Sequence, residues 1–263
     1  MYLHKSTPAL TRFLFLIALL ACASLQAGER RFTYVYETTT AAKGEVEIEN
    51  WATWKTGKNE EGNRGNEFNF RHEIEYGVTD HFQLSLYVVD WTVVDNIAGG
   101  EKGAQAIYDD TALEAIYSFT NPVTDIIGSA LYGEIQVGDL KFAMESKLLL
   151  QKNFGPIVIA YNASFEAEWE GERFGSFEER HAEFQQTLGA SYQFTPNFLL
   201  GGEFLHEITF PEWAEAEDSV VYVGPNASFR YDRYYLTATA MIQATAITEE
   251  PDFQLRAIFG FHF

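Results

Sequence analysis

The last eleven residues constrain the fold more than any other stretch. In Phe253-Gln-Leu-Arg-Ala-Ile-Phe-Gly-Phe-His-Phe263, Phe253, Leu255, Ala257, Phe259, Phe261 and Phe263 share one parity. Gln254, Arg256, Ile258, Gly260 and His262 share the other. Side chains alternate along a strand with a period of two, so this is a strand with one apolar and one mostly polar face. Such a strand needs a sheet whose two faces meet different surroundings.

The same alternation recurs upstream. From Gly44 it predicts twelve strands, at 44–55, 67–77, 82–92, 109–119, 128–137, 140–152, 157–170, 179–194, 198–210, 220–231, 234–245 and 253–263. Most are near the ten or so residues that a tilted membrane strand requires. Their connections alternate in character. Tight ones fall at 77–81, 120–127, 153–156, 195–197 and 232–233, and mostly longer, polar ones at 56–66, 93–108, 138–139, 171–178, 211–219 and 246–252. A β-sandwich has no reason to sort its connections in this way, whereas a membrane barrel has short turns at one rim and longer loops at the other. Aromatics also gather at both strand ends, as two interfacial girdles require: Tyr76, Phe119, Phe194 and Tyr231 by the turns, Trp54, Trp91, Trp169 and Phe210 by the loops.

Composition fits. Aromatics make up 16% of 263 residues, yet mean hydropathy is slightly negative. After residue 27 the chain has no apolar run of the roughly 20 residues that a spanning helix needs. The closing strand, with Phe259, Phe261 and terminal Phe263, resembles the last strand of Gram-negative outer-membrane β-barrels. The resemblance covers 44–263 and implies a closed antiparallel twelve-stranded transmembrane β-barrel of up-and-down topology. It also implies that these three phenylalanines serve as an assembly signal read by the barrel assembly machinery. Gly44-Glu-Val-Glu-Ile-Glu-Asn-Trp51 is similar to the opening strand of barrels with no assigned function.

Residues 1–27 read as a cleaved signal peptide, with Lys5 and Arg12 ahead of an apolar core and Leu25-Gln-Ala27 as the cleavage site. Leu19-Leu-Ala-Cys22 is a loose match to a lipoprotein box. Residues 28–43 are a periplasmic or lumen-tucked extension. The expected location is the outer membrane, and the expected state is a monomer in contact with lipid and lipopolysaccharide.

With the apolar face toward lipid, the lumen receives Glu45, Glu47, Glu49, Arg71, Glu73, Glu75, Glu145, Lys147, Glu166, Glu168, Glu183, Glu203, Arg230 and Arg256. Of 18 basic and 38 acidic residues, 1–27 hold two basic and none acidic, leaving a net −22. That excludes nucleic acid, which needs a basic footprint, and acidic linings favour cations. The expected function is a narrow passive channel for small neutral or cationic solutes, with a non-conducting structural barrel as the alternative. A lipid-modifying enzyme is the third class, but only His181 beside Glu183 faces inward near the outer rim and no serine motif accompanies it. Neither cofactor nor metal is expected.

Two finer expectations follow. Closure pairs the first strand with the last, which is expected to bring Glu47 and Glu49 near Arg256, with Arg71 arriving from strand two as an Arg–Glu–Arg ladder. Arginine is expected to be costly at outward Phe259 or Ile159 and much cheaper at inward Ile258 or Asn162.

Overall fold

Every alternating segment forms a strand, and each strand bonds only to its neighbours in sequence and, at the seam, β1 to β12. The computed structural model describes residues 30–58, 64–95, 104–173, 176–217, 219–248 and 250–263. The signal segment, Cys22, Gly28 and Glu29 lie outside the described residues. The strands are Val46–Lys58 (β1), Arg64–Thr79 (β2), Phe82–Asp95 (β3), Ala104–Thr120 (β4), Gly128–Val137 (β5) and Lys141–Phe154 (β6). They continue with Ile157–Arg173 (β7), Ser176–Thr195 (β8), Phe198–Pro211 (β9), Val220–Tyr231 (β10), Tyr234–Gln243 (β11) and Phe253–His262 (β12). All pairings are antiparallel, so the sheet is a closed up-and-down barrel with no free edge.

Several strands run further toward the loop end than the sequence alternation marks, whereas β11 stops at Gln243 rather than 245. β4 begins at Ala104 rather than 109, β8 at Ser176 rather than 179, and β1 ends at Lys58 rather than 55. The ladder there continues past the apolar belt, because backbone pairing needs no alternation of side chains. At the turn end the connections are tight. Asp232, in the two-residue turn before β11, and Gly155, before Pro156, adopt φ of 56° and 60°, the left-handed region that Asp and Gly tolerate best.

The two faces differ as alternation demands. Leu84, Leu113, Leu131, Leu148, Ile159, Leu188, Leu200, Leu236 and Phe259 form an exposed apolar belt round the outside, far larger than a water-facing surface tolerates. Tyr76, Phe119, Phe154, Phe194, Tyr231 and Tyr234 are exposed at the turn-end rim. At the other rim Trp54 stacks on Phe68 at 6.4 Å, and Phe70 on Trp91 at 4.3 Å. One β-bulge changes the inner face: the register slips between Tyr87 and Asp90, so β3 turns Gln83, Ser85, Tyr87 and then Asp90 and Thr92 inward.

Candidate functional site

The lumen has two halves. Residues 30–43 run inside the turn-end half without joining the sheet, and Phe32, Tyr34, Val35, Tyr36 and Ala41 are buried there. A chain so placed must still satisfy its backbone donors, and side chains of four strands do so. The Glu203 carboxylate (β9) accepts the N–H groups of Thr33, Tyr34 and Val35 at 2.9, 2.7 and 3.1 Å. Asn162 (β7) accepts the Tyr36 N–H at 2.7 Å and donates to its carbonyl at 2.9 Å. Gln151 (β6) accepts the Thr38 N–H at 2.8 Å, and Gln83 (β3) the Ala41 N–H at 2.7 Å. Gly189 makes room for the segment, since a Cβ there would fall 2.7 Å from the Phe32 ring.

A square of glutamates underlies the start of this segment. Antiparallel register sets Glu47 opposite Glu75 and Glu49 opposite Glu73, all four buried on the lumen face of β1 and β2. Paired positions lie about 5 Å apart, and at an effective dielectric near 20 a like-charged pair at that distance repels by about 3 kcal/mol. Arg30 offsets part of this. Its Nε lies 2.8 Å from Glu49, and its terminal nitrogen 3.2 Å from Glu75 and 3.6 Å from Glu73. Its guanidinium also covers the rings of Tyr36 and Trp51, at 4.4 and 4.7 Å from their centroids. Burial acts against the Arg30 charge, but the adjacent carboxylates more than reverse that and hold its pKa above the ordinary value. Burial likewise pushes the Tyr34 and Tyr36 phenols up to about 12, against the pull of Arg256 and Arg30 respectively. Both therefore remain neutral donors at physiological pH.

The expected Arg–Glu–Arg ladder does not form. Glu47 and Glu49 face His262 and Gly260 across the seam, whereas Arg256 faces Thr53. Arg256 donates to the Thr53 hydroxyl at 2.9 Å and lies over the Tyr34 ring at 4.1 Å. Arg71 pairs with Asp90, and with Glu134 at 3.3 Å. Both arginines thus sit nearer the loop end than the square, and the cation at the square comes from the segment. The expected cheap arginine sites are also revised. Ile258 packs against Tyr36 and Trp51, and Asn162 clasps the Tyr36 backbone, so neither is open lumen.

Beyond Tyr34 and Tyr36 lies a vestibule in the loop-end half, made of two cavities of about 250 and 350 Å³. Trp51, Lys55, Arg71 and Arg256 line both, and the first reaches Glu217, Glu250 and Pro251 in the loop-end connections. Together their walls carry five basic and eight acidic residues. Lys147, 2.9 Å from Glu145, lines the first, together with Glu183. Glu166 lines the second with Lys141, which bridges Asp110 and Glu168 at 3.2 and 3.1 Å. Glu45 is at the turn-end rim, where it accepts the Ala42 N–H at 3.0 Å, and Arg230 is buried near the same end. Phe259, Phe261 and Phe263 follow the outward parity of β12. Phe261 packs on Tyr234 at 4.7 Å and on Phe263 at 4.5 Å. His181 lies near Glu170 and Glu179 at the loop-end rim.

Sequence reasoning missed Arg30 and the inward tyrosines Tyr87, Tyr132 and Tyr235, which close round the segment. Tyr132 shares the parity of inward Glu134 and was legible on that basis, and Tyr235 shares that of Thr237 and Thr239. Asp90 was not, because the bulge changes parity within β3.

Residues 24–251 match the sequence family described as Family of unknown function (DUF6662). No curated protein matches the chain. Among solved structures, the COG4313 outer membrane channel from Pseudomonas putida F1 is similar at 13% identity and a TM-score of 0.63, over 88% of this chain and 100% of that one. The β domain of the Bordetella autotransporter BrkA gives 9% and 0.55, over 82% of this chain and 98% of that one. The NanC porin gives 7% and 0.53 over the same shares. At these identities the likeness is one of fold.

Proposed function

We propose that this chain, which belongs to that family of unknown function, is an outer-membrane barrel forming a narrow passive channel for small neutral or cationic solutes. In this reading the loop end faces outward, lipid and lipopolysaccharide cover the apolar belt, and the barrel acts as a monomer. One observation carries the proposal. The first cavity of the vestibule ends on Tyr34 and Tyr36 of the segment 30–43, whose backbone is held by side chains of the wall. A barrel of twelve strands falls between those that side chains fill and those that enclose a wide channel, so a separate segment is what closes this one. The acidic excess of the vestibule wall supports a cation preference. Catalysis is not part of the reading.

The tight burial of Phe32, Thr38 and Ala41, each 0% exposed, favours a second reading, a permanently closed structural barrel. Planar-bilayer recording of the mature barrel, with and without residues 30–41, separates the two. The channel reading expects intermittent cation-biased openings from the intact chain and larger, steadier ones from the shortened chain. An intact chain that stays silent while the shortened chain conducts favours the closed barrel. Silence from both removes the channel.

A further inference from the structure

The square sets four buried glutamates against the single guanidinium of Arg30. Glu47 and Glu73 are both 0% exposed, and among the described residues none of their four carboxylate oxygens accepts a hydrogen bond. His262 Nδ1 lies 3.3 Å from Glu47 without a hydrogen bond. Buried carboxylates without hydrogen bonds are costly, and either a proton or a cation relieves that cost.

The geometry suits a metal ion. One oxygen each from Glu49, Glu73 and Glu75 lie within 4.8 Å of one another. Two ligands on opposite sides of a calcium ion, each about 2.4 Å away, are separated by about that distance. Carboxylates are hard oxygen donors, and the three of this group, on two adjacent strands, supply up to six oxygens, the lower end of the roughly six to eight that calcium takes. Magnesium requires a tighter octahedron and retains water, so calcium is the better match.

Arg30 reaches the same three carboxylates, at 2.8, 3.6 and 3.2 Å for Glu49, Glu73 and Glu75. We propose that Glu49, Glu73 and Glu75 of the square form a calcium site, with Glu47 beside it, for which Arg30 is the built-in competitor. Ion and guanidinium take the same position, and arrival of the ion frees the Arg30 end of the segment. A divalent ion answers two of the four carboxylates where the guanidinium answers one, which is the driving force for exchange.

Calcium chloride titration of the chelator-treated mature barrel in detergent, followed by calorimetry, tests this. The wild type should bind one ion saturably at millimolar concentration, and calcium should speed trypsin cleavage after Arg31. Arg30→Gln should tighten binding by at least about ten-fold, because the occupied state no longer has to be displaced. Glu49→Gln with Glu73→Gln should abolish it, and the single Glu73→Gln variant should weaken it. Heat-modifiable migration on gels establishes that each variant is folded. Affinity unchanged by Arg30→Gln, binding that survives the double glutamine variant, or calcium binding without faster cleavage would each overturn the proposal. So would the absence of calcium binding in both wild type and Arg30→Gln. Binding is read without a conducting pore, so failure here leaves the channel reading intact.

Discussion

The Arg30 Nε donates to both carboxylate oxygens of Glu49 at 2.8 Å, across 19 residues of sequence. The cation beside the barrel seam therefore belongs to the segment that fills the lumen, and not to a strand. Charge balance at β1 and β2 and occupancy of the lumen depend on one another.

Removing this cation should weaken the whole barrel. Arg30→Met leaves Glu49, Glu73 and Glu75 buried without their cation, Glu49 keeping only its Trp51 and Tyr235 donors, and breaking a buried ion pair in this way costs about 3–5 kcal/mol. Urea unfolding in detergent would read the loss. Adding Glu49→Gln should recover part of it, since one uncompensated charge is gone. An Arg30→Met barrel as stable as wild type would show that the square carries little charge.

Glu203 should act as the clasp of the segment. Glu203→Ala leaves three buried N–H groups without an acceptor, each costing about 1–3 kcal/mol. Cleavage by trypsin after Arg31 should accelerate in the folded barrel. Glu203→Gln keeps one acceptor oxygen and should fall between the two. Equal cleavage rates in all three would mean that Glu203 does not hold the segment.

Face assignment is testable by charge. Ile159→Arg and Phe259→Arg place a guanidinium in the outer apolar belt and should destabilise by about 2–4 kcal/mol near the bilayer midplane. Gln185→Arg, on the vestibule wall, should cost much less. Unfolding free energies measured in the same lipid would compare them, and equal costs would contradict the register.

Much of the fold was legible because a strand period of two is a strong local signal, and one parity class placed Glu47, Glu49, Glu73 and Glu75 on one face. The seam chemistry was not. Antiparallel pairing sets Arg256 opposite Thr53, and a sequence with correct strands but unknown stagger does not reveal that. The segment was harder still. Residues 30–43 have no periodicity, and their partners Gln83, Gln151, Asn162 and Glu203 lie 42 to 170 residues away. Those partners receive backbone N–H groups, which carry no sequence signature.

Arg256 should tune selectivity. It lines both cavities of the vestibule, so Arg256→Gln removes one of the five bases there and should shift the reversal potential in a salt gradient further toward cations. A shift toward anions, or none in a conducting barrel, would mean that the vestibule does not set selectivity.

The central claim is that conduction requires residues 30–43 to leave the turn-end half of the lumen. The Thr38 hydroxyl touches the Gln151 amide oxygen at 3.2 Å, and the single cysteine of the chain, Cys22, lies within the expected signal peptide. A Thr38→Cys, Gln151→Cys barrel can thus be bridged without interference by a short bis-thiol reagent that forms a disulfide at each end. Single-channel current through it in a planar bilayer should vanish on bridging and return on reduction. Equal current in the two states would contradict the account.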